Sequence, residues 1–112
     1  MAFARVTGDF NPVHVVAAAA AASSFGERIV HGMLTASLFS TLLATKLPGP
    51  GAIYLSQSLS FLRPVKLGDT VTARVSITAI DVDKRRLTVT TLVLNPRGMN
   101  VVTGEAVVQL PS

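Results

Sequence analysis

The chain has 112 residues, of which 49% are hydrophobic and only 14% are charged, and it contains no cysteine and no tryptophan. This length fits a single domain spanning 1–112, and a charged fraction well below the usual value of about 25% predicts that a second copy covers part of its surface. The lack of cysteine excludes disulfides, zinc–thiolate sites, iron–sulfur clusters and a thiol nucleophile.

The net charge is +4, from ten lysines and arginines against six acidic residues. Most of the positive residues lie in the second half of the chain, with a cluster at Lys84, Arg85 and Arg86. A basic surface attracts nucleic acid or any phosphate-bearing small molecule. The chain has one tyrosine, no tryptophan and no run of Lys or Arg longer than three, which gives little support to a surface that stacks bases or follows a phosphate backbone, so we expect no nucleic-acid partner.

Two uncharged stretches, 10–26 and 29–45, need comparison with a membrane span. Both are shorter than the roughly 20 apolar residues that a spanning helix needs, and both contain polar side chains. Residues 13–22 do not form a signal peptide either, because Asp9, Asn11 and His14 lie where its apolar region should begin. The sequence therefore predicts a cytoplasmic protein that does not bind a membrane.

The first half of the chain carries helical patterns. The alanine run at 17–22 is typical of a helix. Residues 32–45 place large apolar side chains on almost every side of a helical wheel, which predicts a helix that is buried on most sides. Two prolines and two glycines at 48–51 mark its end.

From residue 53 the hydrophobic period becomes two, which indicates strands. Strands are predicted at 53–61, 70–79, 87–94 and 101–110, and they are joined by turns rich in Pro, Gly, Asp and Asn. The predicted fold class is therefore α+β, with an antiparallel sheet wrapped around a central helix. Such a sheet leaves its outer face and edges open, which predicts a homodimer.

Candidate chemistry concentrates in the segment TGDFNPVH at 7–14, which contains a carboxylate, an amide and an imidazole. Pro12 disfavours helical backbone at Asn11, so Asp9 and His14 are expected around a turn. Such a turn can aim both side chains at one small molecule, such as water. Alternatively, Asp9 and Asn11 only cap their own backbone, and His14 is a structural histidine.

A second candidate is the pair His31 and Gly32, where the apolar helix begins. The free N–H groups and the dipole at a helix N-terminus suit an oxyanion that develops on a carbonyl. Alternatively, Gly32 only permits close packing at this point. The residues alone leave both interpretations open.

Several motifs together resemble one known family. The segments TGDFNPVH, RIVHGMLTASLFSTLL, SLSFLRPVKLGD and TGEAVVQL are similar to the MaoC-like (R)-specific enoyl-CoA hydratases, also called hydratase 2, over nearly the whole chain. The resemblance implies the hot dog fold, in which an antiparallel sheet wraps a helix and two copies form a dimer. Members begin with a strand before the position that matches Phe3, so that N-terminal strand is expected to be missing. Val16 stands where members usually carry an acidic residue.

Members of this family hydrate a trans-2-enoyl-CoA reversibly to the (R)-3-hydroxyacyl-CoA, without a metal or an organic cofactor, in fatty-acid oxidation or polyhydroxyalkanoate monomer supply. By resemblance, Asp9 and His14 hold the catalytic water and share the acid and base roles, while Asn11 helps to position it. Gly32 supplies the oxyanion N–H, and Ser40 is a polar position near the substrate carbonyl. The residues expected to bind the CoA phosphates are Arg63, Lys66, Lys84, Arg85 and Arg86.

Two other functions are kept as alternatives. A shortened sheet would loosen the loop that carries Asp9, which favours a catalytically weak subunit that works as the partner of a complete paralogue. A hot dog acyl-CoA thioesterase is the third interpretation. Activity of the purified chain toward an enoyl-CoA distinguishes them.

Overall fold

The computed structural model describes residues 1–24 and 26–111. Within them, the helices are α1 (Ala2–Thr7), α2 (Pro12–Val15), α3 (Ala17–Ala22) and α4 (Gly32–Thr45). The strands are β1 (Ile53–Gln57), β2 (Ser60–Phe61), β3 (Thr72–Asp81), β4 (Arg86–Leu94) and β5 (Asn100–Gln109). None of the helices in these two ranges is long and apolar enough to cross a membrane.

A tight reversal separates α1 from α2. Helix α1 ends at Gly8, whose φ of 79° is a left-handed conformation that glycine adopts without strain. Helix α2 begins after Asn11, which caps it, and Pro12 occupies the first helical position, where its missing N–H costs nothing. Asp9 therefore lies in a short loop between two helix ends.

The predicted helix at 32–45 is confirmed as α4, but its burial differs from the expectation. Only one face is buried, through Thr35, Ala36, Phe39 and Leu43. Met33, which lies outside that face, is 58% exposed. The sheet contacts α4 from one side, so a single copy leaves the other side open.

The strands form one antiparallel sheet in the order β1-β5-β4-β3, and β2 extends the same edge by pairing with β5. Strand β4 shows the expected alternation, because every second side chain from Leu87 to Val93 is buried against α4. The long pairings of β4 with β3 and β5 agree with the hairpins predicted from the turns.

The predicted strand at 53–61 is interrupted, and Ser58 and Leu59 separate β1 from β2. A Cβ atom at Gly104 of β5 would overlap the Ser58 carbonyl, so glycine is required where the chain crosses over β5. The predicted apolar face of this strand is also not covered in one copy. Ile53 and Phe61 are 58% and 52% exposed along the sheet edge, although one side of the Phe61 ring lies against Gly32 at the start of α4.

The core has two parts along the length of the sheet. The first part joins Phe39 to a set of valines, Val65, Val93, Val101 and Val102. The second part consists of Leu43, Leu87, Val89, Ala106 and Val108. We call them the cleft-side core and the tip-side core, because the first borders the cleft described below and the second lies toward the β3–β4 hairpin tip.

Candidate active site

The Asp9 loop is shaped by its own side chains. The Asn11 N–H donates to Oδ1 of Asp9 at 3.2 Å, and the Val13 N–H donates to Oδ1 of Asn11 at 3.2 Å. The capping interpretation of this motif is therefore confirmed. It does not remove the chemical one, because the Asp9 side chain remains half exposed, with 50% of its surface accessible.

His14 is held by the segment that precedes α4. Its Nδ1 lies 2.9 Å from the Ile29 carbonyl oxygen, and the Ile29 N–H donates to the Val13 carbonyl at 3.2 Å. Nε of Arg28 donates to the His14 carbonyl at 2.9 Å. These bonds fix both the backbone and the ring of His14 against residues 28–29.

The contact with Ile29 also determines where the His14 proton lies. A carbonyl oxygen can only accept a hydrogen bond, so Nδ1 must carry the proton that it donates. In the neutral ring, Nε2 is then unprotonated and can accept a proton. This tautomer leaves Nε2 as the ring nitrogen of His14 that can exchange a proton with a ligand in the cleft.

The structure adds His31 to the two residues identified from the motif. Its ring is stacked on that of His14, with centroids 4.0 Å apart, and its Nε2 lies 2.8 Å from the Asp9 carbonyl oxygen. The His31 side chain is buried, and the Phe3 ring lies 4.7 Å from it. The sequence singled out His31 only as the neighbour of Gly32, and nothing in its spacing indicated contact with Asp9.

The structure supports the close-packing interpretation of Gly32 and leaves the oxyanion interpretation as a prediction. It is the first residue of α4, and its N–H has no partner within the helix. The N–H groups of Leu34 and Thr35 already donate to the His31 carbonyl. A Cβ at Gly32 would lie 2.8 Å from the Phe61 ring, so a glycine is also needed for close packing.

These residues line one cleft with a volume of about 980 Å³, which is in the range that accommodates a small-molecule ligand. The polar lining includes Asp9, His14, His31, Gly32 and Arg63. Its apolar lining includes Phe3, Met33, Phe61, Leu62, Val65 and Val102. The cleft thus combines acid–base groups with an apolar wall.

Asp9, His14 and His31 could in principle bind a metal, because their ligand atoms lie within 4.8 Å of one another. A tetrahedral Zn²⁺ site requires ligand atoms about 3.4 Å apart that converge on one point. Here the two imidazole rings are stacked with 25° between their planes, rather than meeting edge to edge around a common point. This arrangement suits proton transfer better than metal binding.

Ser40 is not brought to this cleft within one copy. It is exposed on α4 and borders a separate cavity of about 80 Å³ beside Leu43 and Tyr54. The α4 hydroxyls that line the main cleft are those of Thr35 and Ser37, which the sequence did not single out.

Of the five basic residues expected to bind CoA, only Arg63 lines the cleft. Lys66 forms an exposed ion pair of 3.9 Å with Glu27. Lys84, Arg85 and Arg86 belong to the β3–β4 hairpin tip, where Nη2 of Arg85 donates to the Pro111 carbonyl and Nε of Arg86 donates to Gln109. Within one copy, these three positive charges therefore lie at the end of the sheet opposite the cleft.

Comparisons with known proteins identify the family of the chain. Residues 1–96 match the family described as MaoC like domain. The chain belongs to this family. It is 56% identical over 110 residues to an (R)-specific enoyl-CoA hydratase of Aeromonas caviae, and the match covers 98% of this chain and 82% of that relative.

Solved structures place the MaoC-like chain in the hot dog fold. The (R)-hydratase of A. caviae superimposes with a TM-score of 0.96 at 56% identity, covering 98% of this chain and 83% of that one. An R-hydratase of Pseudomonas aeruginosa gives a TM-score of 0.93 at 50% identity, covering 99% and 71% of the two chains. The predicted fold and family are confirmed.

Proposed function

We propose that this MaoC-like chain is an (R)-specific enoyl-CoA hydratase, a hydro-lyase that converts a trans-2-enoyl-CoA to the (R)-3-hydroxyacyl-CoA. One observation carries the proposal. Asp9 and His14 line the same cleft as Gly32, the first residue of α4, in a chain that is 56% identical to an enzyme of that name.

In the proposed reaction, Asp9 and His14 hold a water molecule and share the acid and base roles. Nε2 of His14 accepts a proton from the water as its oxygen bonds to C3 of the enoyl group. C2 takes up a proton from the pair, so that H and OH are added across the double bond. The Gly32 N–H stabilises the negative charge that develops on the thioester oxygen.

Two further residues have proposed roles in binding. Oδ1 of Asn11 caps α2, which leaves its amide NH₂ group to orient the water. Arg63 lines the cleft and has a guanidinium that can pair with a CoA phosphate. The roles of Ser40 and Lys66 remain predictions, and Lys84, Arg85 and Arg86 would reach a CoA phosphate only if a second copy brought the hairpin tip to the cleft.

We also propose that the chain acts as a homodimer. The uncovered side of α4 and the apolar edge at Ile53 and Phe61 are both large exposed hydrophobic features. A second copy would cover them and leave a polar exterior. A single domain spanning 1–112, a cytoplasmic location and a role in fatty-acid metabolism or polyhydroxyalkanoate supply remain predictions of the sequence.

The test is to add the purified chain, without any other protein, to crotonyl-CoA. We expect loss of absorbance at the enoyl thioester band, no release of free CoA thiol, and a product that a stereospecific dehydrogenase identifies as the (R) isomer. Free thiol would indicate a thioesterase instead. Turnover that requires an added paralogue would indicate a partner subunit.

A further inference from the structure

The two proposed acid–base residues are anchored differently. His14 is fixed to residues 28–29 by two hydrogen bonds, and its neighbour Val13 by a third. Within the described part of the chain, and apart from its contact with His31, Asp9 has only local bonds: its N–H donates to Oγ1 of Thr7 at 3.3 Å, and its carboxylate accepts from the Asn11 N–H. Local bonds shape the loop but do not hold it against the rest of the molecule.

His31 supplies that missing anchor. Among residues 1–24 and 26–111, it is the residue beyond the loop that hydrogen-bonds Asp9, through Nε2 and the Asp9 carbonyl at 2.8 Å. Because the carbonyl only accepts, Nε2 of His31 carries the donated proton. The two bonded residues are 22 positions apart in the sequence, and the bond joins the start of α4 to the loop between α1 and α2.

The same side chain also contacts the base. The His31 ring is stacked on His14 at 4.0 Å with an angle of 25° between the ring planes. Since the ring is buried and has Phe3 beside it, little freedom of rotation is left to it. His31 thus touches both acid–base residues while its own backbone leads into Gly32.

We infer that His31 is a positioning residue for the hydration reaction, and this rests on the proposed function. It fixes the Asp9 loop and the His14 ring relative to the Gly32 N–H. The backbone carbonyl of His31 holds the first turn of α4 through Leu34 and Thr35. A side-chain substitution at His31 therefore changes the loop and leaves the start of the helix in place.

The experiment compares three variants with the wild-type chain. His31→Phe keeps an aromatic ring against His14 but loses the donor, and His31→Gln keeps a donor but loses the ring. Val89→Ala removes methyl groups from the tip-side core, distant from the cleft, and controls for lost stability. Rates are measured with crotonyl-CoA and corrected for the folded fraction.

We expect His31→Phe to lower kcat at least about tenfold while KM changes less than about twofold, since positioning of the reacting groups is lost and CoA contacts are not. His31→Gln should fall between His31→Phe and the wild type. Val89→Ala should keep the wild-type kcat. A wild-type kcat in His31→Phe, or an equal loss in Val89→Ala, would overturn the inference.

A second readout does not depend on activity. The Phe10 N–H belongs to the same peptide group as the Asp9 carbonyl, so its amide signal in a ¹H–¹⁵N spectrum reports the bond from His31. We expect this signal to move and to exchange faster with solvent in His31→Phe than in Val89→Ala. An unchanged signal refutes the positioning role even if the wild-type chain proves unable to hydrate crotonyl-CoA, which would refute the proposed function separately.

Discussion

The polar residues at the two ends of the sheet differ in what their side chains contact. At the cleft end, Asp9, His14 and His31 are tied together by hydrogen bonds and ring stacking around an open cavity. At the hairpin tip, Arg85 donates a hydrogen bond to the Pro111 carbonyl, just beyond β5. Arg86 donates one to the side chain of Gln109, within β5. The two ends are well separated. Strand β4 runs from Arg86 at the tip to Val93 at the border of the cleft, a distance of about 24 Å at the usual rise per residue.

This difference shows that charge density alone does not locate a site. The tip has the denser positive cluster, but the cleft that contains the acid–base groups does not extend to it. The cleft end has few charges, and its chemistry depends on how one loop packs against the segment before α4. Substitutions at the two ends should therefore have very different effects on catalysis.

The largest effect is expected from the acid–base residues. Asp9→Asn and His14→Ala should each lower kcat for crotonyl-CoA by at least about a hundredfold, because each removes a proton-transfer group. Circular dichroism checks that both variants remain folded. Rates close to wild type in either variant would move the chemistry away from this loop.

A smaller effect is expected at Gly32. In Gly32→Ala the new methyl group meets the Phe61 ring at 2.8 Å, so the ring or the start of α4 must move. We expect kcat to fall about three- to tenfold, since the oxyanion donor is displaced but not removed.

The double variant Gly32→Ala/Phe61→Ala provides the control. It removes the obstructing ring, and it should recover kcat relative to Gly32→Ala alone. No recovery would show that the methyl group harms catalysis by a route other than the clash with Phe61.

A smaller effect is expected on substrate binding, and two arginine variants test which end of the sheet contacts the CoA phosphates. Arg63→Ala is expected to raise KM for crotonyl-CoA about two- to fivefold, which corresponds to losing the small binding free energy of an exposed ion pair with phosphate. Arg85→Ala, matched in charge at the hairpin tip, should leave KM within experimental error. A larger change from Arg85→Ala would indicate that the tip contacts substrate, for example across a dimer.

The smallest effect concerns Tyr54, on the sheet edge. Burial raises the pKa of its phenol above the ordinary value. The folded chain therefore holds this proton more tightly than the unfolded chain, and the resulting stability is complete below about pH 10 and is lost as pH rises through the folded pKa.

Since Tyr54 is the only tyrosine, its ionisation can be followed by absorbance without interference. Urea unfolding should show stability falling above about pH 10 in the wild-type chain and falling less in Tyr54→Phe. Identical pH profiles of the two proteins would contradict the raised pKa.

Periodicity was enough to predict most of the fold. The bounds of α4 and the hairpins of β3, β4 and β5 follow from hydrophobic repeats and turn residues. The interruption at Ser58 and the open face of α4 do not, because both depend on contacts with distant residues such as Gly104 or on a surface that a single copy leaves uncovered.

The site was predictable only in part. Asp9, Asn11 and His14 stand in one short motif, so their proximity follows from the chain itself. His31 and Arg28 lie 14 residues or more from the residues that they contact, and no spacing rule connects them. Ser40 is a case in which the prediction from sequence did not hold within one copy. It lies on α4, the helix that borders the cleft, but it lines a different cavity.

The most direct measurement is the hydration rate of crotonyl-CoA by the chain alone, set beside that of the Asp9→Asn/His14→Ala double variant. If Asp9 and His14 act as one unit, the wild-type chain yields the (R) product, and the double variant is at least about a hundredfold slower but little slower than either single variant. No turnover by the wild-type chain, or a double variant that retains its rate, would contradict the assignment of hydration to this pair.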